Sequence, residues 1–228
     1  MNSAACAHEK YAQQVARLAA RVISKTDLHS YEGGLAHMGA VLVDTVLQAG
    51  INYRTVVLPR VRDVFRRFPA AITTPAFYDV LILHGAEEVL QWRHPTKPIR
   101  LWELTTFLLE NCIYTTNALR AWLTVDTSAD KLRLLPGIGP KTVDYLKKLS
   151  GSDSVAVDRH IRAFVLRAGV PFLGYDETRR VVEAAADLLC IPRAALDQAI
   201  WRYESSGRQA LLVCDRRALS PDDDDHPS

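Results

Sequence analysis

The sequence predicts an all-α fold of about ten short helices. Three observations carry that prediction. Apolar residues recur every three or four positions through most of the chain. No stretch alternates apolar and polar for the length of a useful strand; Ser154–Val157, the best candidate, is too short to found a sheet. Glycines and prolines fall between the periodic segments rather than inside them.

The elements follow from that periodicity. Tyr11, Val15, Leu18 and Val22 share one face of a helix over roughly residues 4–24. Leu35, Met38, Leu42 and Val46 mark a second helix. Leu58, Val61, Phe65 and Phe68 mark a third, which stops at Pro69. A short helix covers 76–84 and ends near Gly85. Trp92–Pro98, with two prolines, reads as a loop. Leu101, Leu104, Leu108 and Cys112 give the next helix face, and 116–124 another. Ser128 is placed to cap a helix running to Leu135. Late in the chain Val181, Val182, Ala185, Leu188 and Leu189 form one face, and Leu196, Ile200 and Tyr203 the last.

The bulk numbers restrict the class. At 228 residues, 48% hydrophobic and 24% charged, the chain has the make-up of a globular protein. No apolar run approaches the ~20 residues of a membrane span. Met1–Lys10 lacks the basic-then-apolar order of a signal peptide. A cytoplasmic monomer is expected, with no membrane partner. The net charge of +2 conceals an asymmetry: removing the four charges of Asp222–Asp225 leaves +6. A mildly basic body with an acidic tail, expected to be disordered over 216–228, is compatible with nucleic-acid binding. Cys6, Cys112, Cys190 and Cys214 are far apart, with no C-x-x-C pair. That spacing argues against zinc or an iron–sulfur cluster, so no metal or cofactor is expected. The four read as small, reduced, apolar residues.

The most informative stretch is Leu135-Pro136-Gly137-Ile138-Gly139-Pro140-Lys141-Thr142. Pro136 stops one helix, two glycines turn the chain, and Pro140 suits the first turn of the next helix. Such a hairpin points backbone N–H groups outward at a helix N-terminus, a ready place for a phosphate oxygen. Plain helix connectors use the same residues. Lys141 opposes the macrodipole of the helix it starts. It is either a solvated or phosphate-bonding lysine, or an amine kept neutral, and therefore nucleophilic, by that terminus.

Asp158 follows 17 positions later, in Val155-Ala156-Val157-Asp158-Arg159-His160-Ile161. An apolar run, then Asp, then a helix with Ile161, Phe164 and Val165 on one face is an N-cap signature. A structural cap and a carboxylate facing the hairpin are compatible readings of the same residue.

Together LPGIGPKT and VAVDRHI resemble the signature of the helix-hairpin-helix DNA glycosylase superfamily, which includes endonuclease III and 8-oxoguanine glycosylase. The matched core spans about residues 128–168. The resemblance implies two helical lobes, 37–151 carrying the hairpin and 1–36 with 152–215 forming the other. DNA would lie in a cleft between them, with the target base flipped out. The implied partner is double-stranded DNA containing a damaged or modified base. A lysine at the hairpin position goes with base removal followed by strand nicking. The resemblance thus implies Lys141 as nucleophile on C1′ and Asp158 as the carboxylate that activates it and stabilises the developing sugar cation. Gly137, Ile138 and Gly139 would hold phosphate. Gln48, in Val46-Leu47-Gln48-Ala49, resembles the residue that fills the gap left by the flipped base; a polar helix terminus is the plainer reading. Asn52 and Tyr53, in the same expected loop, would contact DNA or line the pocket.

The chain departs from endonuclease III in two places. Only two cysteines follow the motif, so the iron–sulfur cluster is not expected. Ile51, Asn52 and Tyr53 stand where that enzyme carries an acidic residue. Both changes leave the lesion open. Among other basic residues, Arg60, Arg62, Arg66 and Arg67 read as a solvated face. Lys147 and Lys148 lie on the second hairpin helix, where phosphate contact is possible. His160 is expected to pack in the motif helix, and Trp201 and Tyr203 in the core. A non-catalytic DNA-binding protein using the hairpin alone is the competing reading.

Overall fold

Side-chain caps and N-terminal prolines set where the chain becomes helical. A computed structural model describes residues 3–30 and 33–217, backbone only at 3–6, 126 and 207–217. Among the described residues every regular element is helical. In chain order they are α1 (Ser3–Val22), α2 (Lys25–His29), α3 (Met38–Leu47), a π turn (Tyr53–Val57), α4 (Leu58–Arg67), α5 (Thr74–His84) and α6 (Ala86–Leu90). Then come α7 (Thr96–Glu110), α8 (Thr116–Trp122), α9 (Asp126–Arg133), α10 (Pro140–Leu149), α11 (Arg159–Arg167), α12 (Tyr175–Leu188) and α13 (Arg193–Arg217). The fold is all-α. The chain divides into two compact units, Glu32–Ala156 and Met1–Tyr31 with Val157–Ser228.

In the first unit α3 is the central helix. All ten of its residues are buried, as expected of a helix that is apolar on every side. His37 caps it: Nδ1 accepts from Ala40 N at 3.1 Å while Nε2 lies 3.0 Å from the Phe68 carbonyl. The neutral ring therefore joins the start of α3 to the end of α4. Leu35, expected within this helix, precedes it and donates its N–H to Leu149 O at 2.8 Å. Gly39 lets α5 approach, since a Cβ there would sit 2.6 Å from the Phe77 ring. Helices α4, α5, α7 and α10 pack around α3. Their core includes Leu42, Phe77, Leu81, Leu101, Leu104 and Leu146.

Three sequence expectations are corrected in this unit. Trp92–Pro98 is not all loop, because α7 begins at Thr96. Pro98 is tolerated in the first turn, where its missing N–H would have had no helical partner. Ser128 is not a cap. It is buried inside α9, and its N–H bonds the Val125 carbonyl at 3.0 Å. Cys112 is not on the α7 face. The helix ends at Glu110, and Cys112 takes φ 57° just beyond the Asn111 cap.

That last geometry recurs. Cys112 N bonds Leu109 O at 3.0 Å and Ile113 N bonds Leu108 O at 2.9 Å. This is a Schellman closure with a cysteine where glycine is usual. Cys190 (φ 54°) closes α12 the same way, and Gln91 (φ 48°) closes α6. Cys112 and Cys190 carry free thiols, and both are exposed. The side chains of Cys6 and Cys214 lie outside the described residues.

In the second unit α1 packs along α12, and α13 packs on α2, α11 and α12. Small residues permit close approach: Ala12, Ala16 and Ala19 on α1, and Ala185 and Ala186 on α12, are buried. Arg202 of α13 donates to Ser30 Oγ at 3.1 Å, tying down the end of α2. His160 is buried, 6.2 Å from the ring of Trp201. Trp201 and Tyr203 are half-buried rather than fully in the core. Of the tail expected over 216–228, the first two residues end α13, and 218–228 lie outside the described residues. Among the described residues no helix is long and apolar enough to cross a membrane.

Candidate active site

The hairpin is a β-turn between two helices. Helix α9 ends at Arg133; Leu135, Pro136, Gly137 and Ile138 then form a turn closed by Ile138 N to Leu135 O at 3.1 Å. Proline at the second position and glycine with φ 78° at the third are what a type II turn requires. The Ile138 N–H is thus used internally, and its side chain is buried in the core. It is not among the outward N–H groups the sequence suggested. Gly139 is the N-cap of α10 and supplies no side chain for the cap. The Arg100 guanidinium lies against Gly137, so close that a Cβ there would fall 2.2 Å from it.

Lys141 is the second residue of α10 and is half-buried. Its ammonium donates to Gln48 Oε1 at 2.6 Å. Gln48 is the C-cap residue of α3, a helix terminus as the plain reading held, yet its side chain turns to the lysine. Among the described residues the Gln48 Nε2 is buried with no hydrogen-bond partner. A second lysine fixes this terminus. Lys97 of α7 is buried and donates to the carbonyls of Val46 at 2.8 Å, Leu47 at 3.3 Å and Ala49 at 3.5 Å. These are orphan acceptors of the α3 C-terminus. Burial, with Arg100 nearby, pulls the Lys97 ammonium down to about 8.

One turn before Gln48 is a carboxylate that the sequence reading passed over. Asp44 is 1% exposed. Its Oδ2 accepts from the Tyr53 hydroxyl at 3.0 Å and its Oδ1 from the Tyr145 hydroxyl at 2.9 Å. Burial raises it to about 6, against the lowering pull of both hydroxyls and of Lys148. Burial and the facing carboxylate together push the Tyr53 and Tyr145 phenols up. Asn52 does not lie in an open loop. It caps the π turn that begins at Tyr53, accepting from Thr55 N at 3.1 Å. A signal for Asp44 did exist: it is the sole charge within the apolar run Met38–Leu47.

Lys147 and Lys148 point to groups within the first unit. Lys147 lies 3.5 Å from buried Asp144, and Lys148 sits over the Tyr145 ring at 5.9 Å. The arginines of α4 are only partly a solvated face. Arg60 donates to the carbonyls of Leu90 and Val56, and Arg67 pairs with Asp63 and Glu88.

Asp158 belongs to the second unit. It is the N-cap of α11, where Oδ1 accepts from His160 N at 2.8 Å and Ile161 N at 3.0 Å. One oxygen thus satisfies two orphan donors, while Oδ2 makes no hydrogen bond among the described residues.

The comparisons with known proteins agree with an all-helical architecture of this kind. The chain is similar to the crystal structure of H. pylori 3-methyladenine DNA glycosylase (MagIII) bound to 1,N6-ethenoadenine. The TM-score is 0.59 at 14% identity, over 90% of this chain and 98% of that one. The two share a fold. A family described as a domain of unknown function (DUF8548) matches residues 102–205, a stretch that holds both Lys141 and Asp158. No curated protein matches in sequence.

Proposed function

We propose that the protein is a base-excision DNA glycosylase with AP-lyase activity, using Lys141 as nucleophile. The observation that carries the reading is Lys141 in the first turn after a glycine hairpin, in a fold shared with a DNA glycosylase.

The Lys141 ammonium first gives up a proton to solvent; the neutral amine then forms a bond to C1′ as the C1′–base bond breaks, and the leaving base takes a proton. The sugar ring opens with a proton on O4′, giving an iminium at C1′. The iminium acidifies C2′; loss of a C2′ proton expels the 3′ phosphate, and water releases the lysine. Asp158, through Oδ2, serves as the carboxylate that stabilises positive charge on the sugar. Gln48 exchanges its contact with Lys141 for the space left by the flipped nucleotide. Gly137 and Gly139 let the backbone approach a DNA phosphate, with Lys147 and Lys148 adding charge. An alkylated or etheno purine heads the substrates to try, since the fold neighbour binds one.

Borohydride trapping on DNA containing an abasic site tests the reading. The wild-type protein should become covalently linked to DNA, and Lys141→Gln should not. Full trapping by Lys141→Gln would remove Lys141 from the role. Salt-sensitive duplex binding with no trapping or cleavage across a panel of lesions would favour the non-catalytic alternative.

A further inference from the structure

Helices α3 and α10 meet through two rungs of matched spacing. Asp44 and Gln48 are one turn apart on α3, and Lys141 and Tyr145 are one turn apart on α10. The first rung is Tyr145 to Asp44 at 2.9 Å; the second is Lys141 to Gln48 at 2.6 Å. Because side chains at i and i+4 share a helix face, the two rungs lie one above the other. Asp44 and Gln48 are therefore held by the same face of α10.

We propose that Asp44 is a positioning residue: gripped by the Tyr53 and Tyr145 hydroxyls, it sets where Gln48 meets Lys141. Its bearing on catalysis rests on the role given to Lys141 above. Asp44 touches no reacting atom. A buried carboxylate with two donated hydroxyls is costly to ionise, and apolar packing alone would join these helices at lower cost. What the polar cluster adds is one defined register.

The groups that act on Asp44 are Tyr145 and Lys148 from α10 and Tyr53 from the π turn. Arg62 of α4 acts on Tyr53, and Lys97 of α7 holds the carbonyls at the far end of α3. Burial raises the Asp44 carboxyl to about 6. As an anion it accepts both hydroxyls. Once protonated it must donate one hydrogen bond, and the rung to Tyr145 or Tyr53 rearranges.

The test follows the Gln48 side-chain amide by NMR from pH 5 to 8, in the full chain, with the signals assigned by their loss in Gln48→Ala. In the wild type they should move through a step centred near the Asp44 value. Asp44→Asn should abolish the step. Tyr145→Phe should shift it upward, because a hydrogen bond that favours the anion is gone. Borohydride trapping at an abasic site should slow about tenfold in both variants, an effect of misplacement rather than of lost chemistry. Two results overturn the proposal: Gln48 signals that titrate alike in wild type and Asp44→Asn, or wild-type trapping rates in both variants while Lys141→Gln is inactive. Absence of trapping in the wild type, with the NMR step present, would instead overturn the lyase reading and leave the positioning role supported.

Discussion

Replacing Asp44 by asparagine should make the protein more stable at neutral pH and change how stability depends on pH. Asparagine keeps the shape of the side chain and one carbonyl acceptor, so one of the Tyr53 and Tyr145 hydroxyls keeps its bond while the other meets an amide donor and has to turn. What it removes is ionisation. Burial raises the Asp44 carboxyl from 3.8 to about 6. Between those values the folded protein holds a proton that the unfolded chain has released. The contribution is therefore fully present below the unfolded value and is lost as pH rises toward 6. At about 1.4 kcal/mol per unit, the loss is on the order of 3 kcal/mol. The assay is urea unfolding of wild type and Asp44→Asn at several values from pH 4 to 7.5. Taking the difference between the two proteins at each pH cancels the other titrating groups. That difference should move in favour of the variant by roughly 2 kcal/mol between pH 4 and 6 and level off near roughly 2.5 kcal/mol by pH 7.5. A difference that stays flat across the range would refute the account of Asp44 as a carboxylate held against its own desolvation.

Three further outcomes are expected. Lys97→Met leaves α3 carbonyls without a donor and should cost about 1–3 kcal/mol in urea unfolding; no loss would mean that water replaces the ammonium without penalty. Cys112→Gly and Cys190→Gly should each stabilise by roughly 0.5–1 kcal/mol, measured the same way, because both residues hold a left-handed conformation that glycine adopts freely. Asp158→Asn should keep the α11 cap and nearly all stability while abolishing borohydride trapping, whereas Asp158→Ala should also lose about 0.5–2 kcal/mol; trapping by Asp158→Asn at the wild-type rate would leave Asp158 a cap alone.

Much of the fold was legible because the helices are amphipathic and punctuated. The Leu101, Leu104 and Leu108 face and the Asp158 cap were readable from spacing and residue type alone. Helix ends were less so. Cys112, Cys190 and Gln91 fill a position where the sequence rule looks for glycine, so their three closures were invisible. Leu35 and Ser128 were misplaced because a periodic leucine or a serine near a helix start has the same local signature inside a helix, at its cap or before it. The hairpin was readable, since proline then glycine specifies the turn. That turn type also implies the internal Ile138 hydrogen bond. The Asp44 cluster needs Tyr53 and Tyr145 brought from positions 9 and 101 residues away. Only the lone charge in an apolar helix hinted at it, and no local pattern reports where its partners come from.

Ile138 has one more consequence. With its side chain in the core and its N–H closing the turn, it fastens the hairpin from the inside. Fixing a residue's backbone costs about 1–2 kcal/mol of conformational entropy. For Pro136–Gly139 that cost falls when the unit folds, with burial of Ile138 among the gains that offset it, and not when a ligand arrives. A glycine-rich turn is usually thought of as loose. Here the glycines give it shape and the residue between them makes it stiff, so a partner docking on the hairpin would not have to order it first.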